Sequence, residues 1–177
     1  MTEYRRVVAP GATWFFTVNL RRRRGNSLLV DEIGRLRAAF ASVRKAHPFT
    51  IEAIVVMPDH LHSIWTLPSG DSDYAMRWSL IKSNFSRGLP ASEYRSASRV
   101  SRGERGIWQR RFWEHMIRDE SDFERHADYV HYNPVKHGWV TEPRLWPHSS
   151  FHRFVERGIY PLDWGGGEVS TELRAGE

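Results

Sequence analysis

The stretch that decides the reading is Met57-Pro58-Asp59-His60-Leu61-His62, which follows the apolar run Ile54-Val55-Val56. An apolar run, a Pro-Asp turn signal and a second run from Leu61 to Leu67 predict an antiparallel hairpin, with strands over 51–57 and 61–67. In a strand, residues i and i+2 point to the same face. His60 and His62 therefore project side by side, and Leu61 turns into the opposite layer. Two imidazoles on one strand face supply two ligands for a divalent metal. A His-x-His pair alone is a common coincidence, so its meaning depends on what the rest of the chain brings to it.

A second stretch, Asp128-Tyr129-Val130-His131-Tyr132-Asn133-Pro134, brings the complement. It ends a helix expected to start near Ser121, where Ser121 and Glu124 fit an S-x-x-E capping box, with Asp119 and Glu120 near the positive end of the helix dipole. Phe123, Ala127 and Val130 recur at helical spacing and define the buried stripe. Pro134 disfavours helical geometry at Asn133, which predicts a helix end there. At ~100° per residue, Tyr129 and Asn133 lie within ~40° of each other on the flank of that stripe. Tyr132 falls opposite the stripe and is expected to face solvent. A tyrosine one turn from an amide oxygen, aimed at a His pair, is a nucleophile beside a third metal ligand.

Working outward, Thr13 to Leu20 reads as a strand and Arg21 to Gly25 as a basic turn. Leu29, Ile33, Leu36, Phe40 and Val43 form an amphipathic helix pattern. Asp71 or Asp73 caps a helix expected to bury Met76 and Leu80, with Ile81 and Phe85 as further candidates. Gly88 to Gly106 is a long Ser/Arg-rich loop, a kind that is usually functional or mobile. Ile107 to Ile117 is a candidate strand. The order β-α-β-β-α-β-α predicts an α+β fold of the ferredoxin-like kind: an antiparallel sheet with helices on one face and the His pair on a central strand. The Tyr129 helix packs across that strand's exposed face. One domain is expected over 1–164, with a disordered tail at 165–177. The aromatic segment from Trp139 to Trp164 lacks periodicity, and packing on the sheet, occluding the site and binding DNA all stay open for it.

A chain of 177 residues carries a formal charge of +5 and a pI of about 9.9, which fits an acidic partner. The charge is uneven, with nine basic residues against two acidic ones between Arg77 and Arg111. Such an excess reads as a phosphate-binding surface, with a solvated loop as the alternative. The lack of cysteine excludes disulfides, thiolate metal sites and a Cys nucleophile. No apolar run spans a membrane and no signal segment opens the chain, so a cytoplasmic, nucleoid-associated protein is expected.

These residues carry a resemblance. His60-Leu61-His62 resembles the signature of the HUH single-strand DNA endonucleases, and the fuller text is similar to their REP-associated tyrosine transposase branch. The matching stretches are Pro10-Gly11-Ala12-Thr13-Trp14-Phe15-Phe16-Thr17-Val18, Val55 to His62, and Ile107-Trp108-Gln109-Arg110-Arg111-Phe112-Trp113. They continue with Tyr129 to Gly138 and Trp146-Pro147-His148-Ser149-Ser150-Phe151. The resemblance runs from about Arg5 to Trp164. It implies that His60 and His62 bind a divalent metal, that Tyr129 is the nucleophile, and that Asn133 stands where the third ligand is found. Many relatives outside the branch carry glutamine there, a longer side chain.

The implied chemistry is transesterification on single-stranded DNA that folds as hairpins, through a 5′-phosphotyrosine and a free 3′-OH, with no nucleotide cofactor. Three neutral ligands with open positions suit Mg²⁺ or Mn²⁺. His126, His131 and Glu114 are candidates to deprotonate Tyr129. Arg21, Arg22, Arg23 and Arg24, with Arg99, Arg102, Arg105, Arg110 and Arg111, are candidates to grip the DNA backbone, and Trp108 and Trp113 to stack on unpaired bases. Monomer and homodimer both stay open. Two other classes compete: a non-cleaving DNA-hairpin-binding protein of the same fold, and a His-x-His metal hydrolase acting on small molecules.

Overall fold

The computed structural model describes residues 8–166. Its centre is a four-stranded antiparallel sheet in the order β2-β3-β1-β4, built from β1 (Thr13–Asn19), β2 (Thr50–Val56), β3 (His60–Thr66) and β4 (Trp113–Met116). The expected hairpin is present: β2 and β3 flank Pro58-Asp59, and the Met57 amide bonds the His60 carbonyl at 2.8 Å. The turn is tied down from outside, because its two carbonyls accept from the amides of Leu29 and Leu20. β3, with the His pair, is an inner strand.

Strand alternation sorts side chains between two cores. Phe16, Val18, Leu61 and Trp65 face one side, and Phe15, Val55 and Ile64 face the other. The first side is covered by α1 (Leu28–Asp31), α2 (Ile33–Ala46) and α3 (Tyr74–Arg87). Asp73 caps α3 by accepting from the Met76 amide. The buried stripe of α3 is Tyr74, Trp78, Ile81 and Phe85, while Met76 and Leu80 are only partly buried. The larger rings take the inner face, which rotates the helix away from the expected Met76–Leu80 orientation.

The second side is crossed by α5 (Glu120–Lys136), which follows the short α4 (Ala97–Val100) and β4. Asp119, rather than Ser121, caps α5, its carboxylate accepting from the Asp122 amide. Pro134 does not end the helix, which runs on to Lys136 and closes at Gly138, where φ is 72° and favours glycine. Pro134 and Asn133 are both buried, so packing of the last turn offsets the ~3 kcal/mol penalty of an interior proline.

The segment after α5 folds over its outer side through a 3-10 turn (Pro143–Leu145) and α6 (Phe151–Glu156). Trp146, Phe151, Phe154 and Tyr160 join Ala127 and Val130 in the second core. Of the three roles left open for this segment, packing on the sheet side is the one these contacts show. That wrapping also corrects the expectation for Tyr132, which is 3% exposed, with its ring edge-on to Trp164 at 6.4 Å.

The strand expected over 107–117 is shorter. Leu20 bridges Trp108, and Thr17 pairs with Trp113, but between these points the β4 side uses more chain than β1. The extra residues, around Arg110 to Phe112, bulge out of the ladder. No helix among the described residues is long and apolar enough to cross a membrane. Of the expected tail, residues 167–177 lie outside the described residues.

Candidate metal and nucleophile site

The site grows from β3. His60 and His62 share the α5 side of the sheet, with ring centroids 5.0 Å apart, and both are 3% exposed. Directly across on β1 stand Asn19 and Thr17. His60 Nδ1 lies 2.6 Å from Asp59 Oδ1. A carboxylate only accepts, so Nδ1 carries the proton and Nε2 keeps its lone pair. The Arg23 guanidinium, 3.4 Å from the same nitrogen, cannot also donate to it, and it bonds Asp59 at 2.8 Å instead. His62 Nδ1 is 2.9 Å from Thr17 Oγ1. With that nitrogen as donor, the lone pair again falls on Nε2.

Burial lowers the pKa of both imidazoles, only partly offset at His60 by the Asp59 hydrogen bond, and His62 is further lowered by the neighbouring His60. Burial alone would raise Asp59, but hydrogen bonds from His60 and Arg23 outweigh it and lower the carboxyl. At neutral pH the site thus presents neutral imidazoles and an ionised brace, the form that binds metal.

The opposing wall is α5. Tyr129 stands edge-on to His62, ring centroids 5.1 Å apart, and edge-on to Phe15 at 6.0 Å. Lys136 Nζ lies 5.0 Å from the centre of the Tyr129 ring. One turn on, Asn133 is fully buried, and neither its amide oxygen nor its nitrogen has a hydrogen-bond partner among the described residues; His62 Nε2 is likewise buried without one. Buried polar groups without partners are rare and call for an explanation. His62 Nε2 and the Asn133 oxygen are neutral donors of the kind a divalent cation takes, so the donor types present fit such a metal.

Sequence reasoning did not assign three members of the site. His137 stacks edge-on to His60 at 5.2 Å, Asp59 orients His60, and Thr17 anchors His62. His137 was legible, since Tyr129, Asn133 and His137 recur every four residues along one stripe of the helix.

A second group lies beside the site. His115, Asp122 and His126 bring three ligand-type atoms within 4.8 Å of one another. The Asp122 carboxylate already takes His115 Nε2 at 2.8 Å and the Arg118 amide at 3.0 Å. The guanidinium groups of Arg118 and Arg125 lie 3.5 and 3.4 Å from it. Burial would raise Asp122, but these hydrogen bonds and the imidazoles hold it well below the usual range. Two arginines at one carboxylate oppose a cation, so this group acts as a brace. Of the candidate bases, Glu114 pairs with Phe16 on the far side of the sheet. His131 is buried against Ser150 and Tyr160, facing α6. Of the three, only His126 touches Phe15, the ring that Tyr129 also touches.

The basic residues divide. Arg21, Arg22, Arg23, Arg24, Arg102, Arg110 and Arg111 are exposed. Arg110 pairs with Glu104 at 2.8 Å, and Arg21 donates to the Tyr94 carbonyl. Arg99, Arg105 and Trp108 are turned to internal work instead of an outer surface. Arg99 donates to the carbonyls of Arg105 and Trp108. Arg105 clamps Glu93 and the carbonyls of Ser86, Leu89 and Pro90. Trp108 is 5% exposed and bonds Ser86 Oγ. These contacts give the 88–106 loop its order. Trp113, in contrast, is 55% exposed.

The structure is thus an α+β sheet with a His-x-His pair on an inner strand, faced by a tyrosine from a crossing helix. No family model matches the chain. Individual proteins do. It is 49% identical over 177 residues, all of this chain and 98% of the other, to a REP-associated tyrosine transposase of Escherichia coli strain K12. It is 47% identical over 168 residues, 94% of each chain, to a Haemophilus influenzae protein assigned to the same kind of transposase. A solved REP-associated tyrosine transposase bound to a REP hairpin superposes with a TM-score of 0.81 at 49% identity, covering 94% of this chain and 93% of that one. The chain belongs to the REP-associated tyrosine transposases.

Proposed function

We propose that the protein cleaves and rejoins single-stranded, hairpin-forming DNA of the REP type through a 5′-phosphotyrosine at Tyr129, in a reaction that depends on Mg²⁺ or Mn²⁺. The observation that carries the reading is His62 Nε2, a buried donor atom without a partner on a ring edge-on to Tyr129, with the buried, unpartnered Asn133 amide one turn further along the same helix. His60, His62 and Asn133 would hold the ion, which supplies Lewis-acid polarisation of the scissile phosphate when bound.

The chain's own groups do the rest. Asp59 fixes the His60 tautomer, and Thr17 orients the His62 ring. Tyr129 Oη attacks phosphorus, its proton leaves, and the 3′ oxygen departs as a hydroxyl, so the phosphodiester energy is kept in the phosphotyrosine and rejoining needs no nucleotide cofactor. Lys136, against the Tyr129 ring, favours negative charge on the phenol during attack. His126 is the base candidate that, like Tyr129, touches Phe15. The exposed Arg21, Arg22, Arg24, Arg102 and Arg111 supply backbone contacts, which makes binding fall with salt.

The test is cleavage of a labelled hairpin oligonucleotide pool with Mg²⁺, Mn²⁺ or EDTA. Metal-dependent nicking lost in His62→Ala supports the reading. Salt-sensitive binding with no cleavage under any metal overturns it in favour of a hairpin binder.

A further inference from the structure

The brace beside the site leads to an open aromatic surface. Trp113, His115 and His126 lie in near-parallel steps: Trp113 to His115 at 5.9 Å and 5° between planes, His115 to His126 at 4.6 Å and 15°. Asp122 holds the two imidazoles in place, accepting from His115 Nε2 at 2.8 Å and, through its backbone carbonyl, from His126 Nδ1 at 2.8 Å. Phe15 packs against Trp113 at 5.6 Å, against His126 at 4.8 Å and against Tyr129 at 6.0 Å. Phe15 therefore touches both the stack and the candidate nucleophile, and the exposed end of the stack is Trp113.

An exposed tryptophan backed by two fixed rings is a platform rather than a core element. Basic side chains on the brace and next to Trp113 in sequence bear on its occupant. Arg118 and Arg125 have side chains 68% and 63% exposed, and Arg111 is exposed two residues before Trp113. Cationic and neutral apolar ligands gain nothing from these groups. A flat ring carrying a phosphate gains from both, because every base has a π-face and its phosphate meets the guanidinium groups.

We propose that Trp113, positioned by the His115–His126–Asp122 brace, stacks on one unpaired base of the strand that carries the scissile phosphate and so sets which phosphate reaches Tyr129. This rests on the reading of Tyr129 as a nucleophile acting on single-stranded DNA.

The test places 2-aminopurine at single positions along the flanking strand of a hairpin oligonucleotide. The Tyr129→Phe protein serves as the non-cleaving background, and wild-type cleavage and adduct formation are measured in parallel. One position next to the cleavage site is expected to be quenched on binding. Adding Trp113→Ala should restore its fluorescence and weaken binding by about 5- to 150-fold, with the salt slope unchanged because no phosphate contact is lost. Trp113→Phe should keep most of both effects. Trp113→Leu, which keeps apolar bulk and folding, should lose the quench.

Unchanged binding and no position-specific quench in Trp113→Ala and Trp113→Leu would overturn the platform, even where the wild type forms its adduct. Trp113-dependent quenching without any wild-type adduct would support the platform while the cleavage reading fails.

Discussion

Asn133→Leu is predicted to make the metal-free protein more stable and less responsive to metal. Asn133 is fully buried, and both polar atoms of its amide lack partners among the described residues. Leaving a buried polar group unsatisfied costs about 1–3 kcal/mol, and leucine is close to asparagine in shape. The metal-free variant should therefore gain about 1–3 kcal/mol. For a chain of this size each kcal/mol moves Tm by about 2–4 °C. With metal at a hundred times its Kd, the wild type gains about 2.7 kcal/mol by mass action, and the variant gains less because one ligand is gone. The assay is thermal unfolding followed by circular dichroism, in EDTA and then in Mn²⁺. The expected result is a crossing: the variant melts higher in EDTA, and the wild type shows the larger rise with Mn²⁺. A variant that melts lower in EDTA and keeps the full Mn²⁺ shift would refute the reasoning, since the amide would then be a structural group with no part in holding an ion.

Three further outcomes follow from the same contacts. Asp59→Ala removes the acceptor that fixes the proton on His60 Nδ1, so Mn²⁺ affinity should fall by about 10–100-fold, read by titration, and an unchanged affinity would argue against His60 as a ligand. Burial, helped by the Arg153 charge, lowers His131 from 6.5 to about 3. The unfolded chain therefore binds a proton that the folded one refuses, and stability drops as pH falls from 6.5 toward 3 by up to ~1.4 kcal/mol per unit. His131→Gln should flatten that dependence in denaturant titrations, and an equally steep dependence would discount the buried imidazole. Arg77 is 2% exposed and joins Asp71 to the carbonyls of His47, Pro48 and Asp73. Arg77→Ala should cost ~3 kcal/mol, the low end for a broken buried pair because Asp71 reaches water, and a Tm within a degree of wild type would contradict that.

What the sequence made legible was local. The Pro58-Asp59 turn, the alternation that pairs His60 with His62, and the helical spacing of Tyr129 and Asn133 depend only on neighbouring residues; the structure has the turn, the two imidazoles side by side and Tyr129 against His62. What it hid depends on distant chain. Tyr132 reads as outward until the segment from Pro143 to Gly165 folds over it. Arg99, Arg105 and Trp108 read as DNA-facing in a basic loop, yet carbonyls and Glu93 from other turns claim them. Pro134 reads as a stop because its effect on Asn133 is local, while the packing that overrides it is not. The aromatic stack through His115 and His126 was equally invisible, since β4 and α5 supply it from separate parts of the chain.

The most direct measurement is the covalent adduct itself. Wild type, Tyr129→Phe and Tyr132→Phe proteins are incubated with single-stranded hairpin DNA and Mn²⁺, digested, and the DNA-linked peptide identified by mass spectrometry. The account predicts a metal-dependent 5′-phosphotyrosine on Tyr129, present in Tyr132→Phe and absent in Tyr129→Phe. An adduct on any other residue, or strand cleavage that continues in Tyr129→Phe, would contradict it.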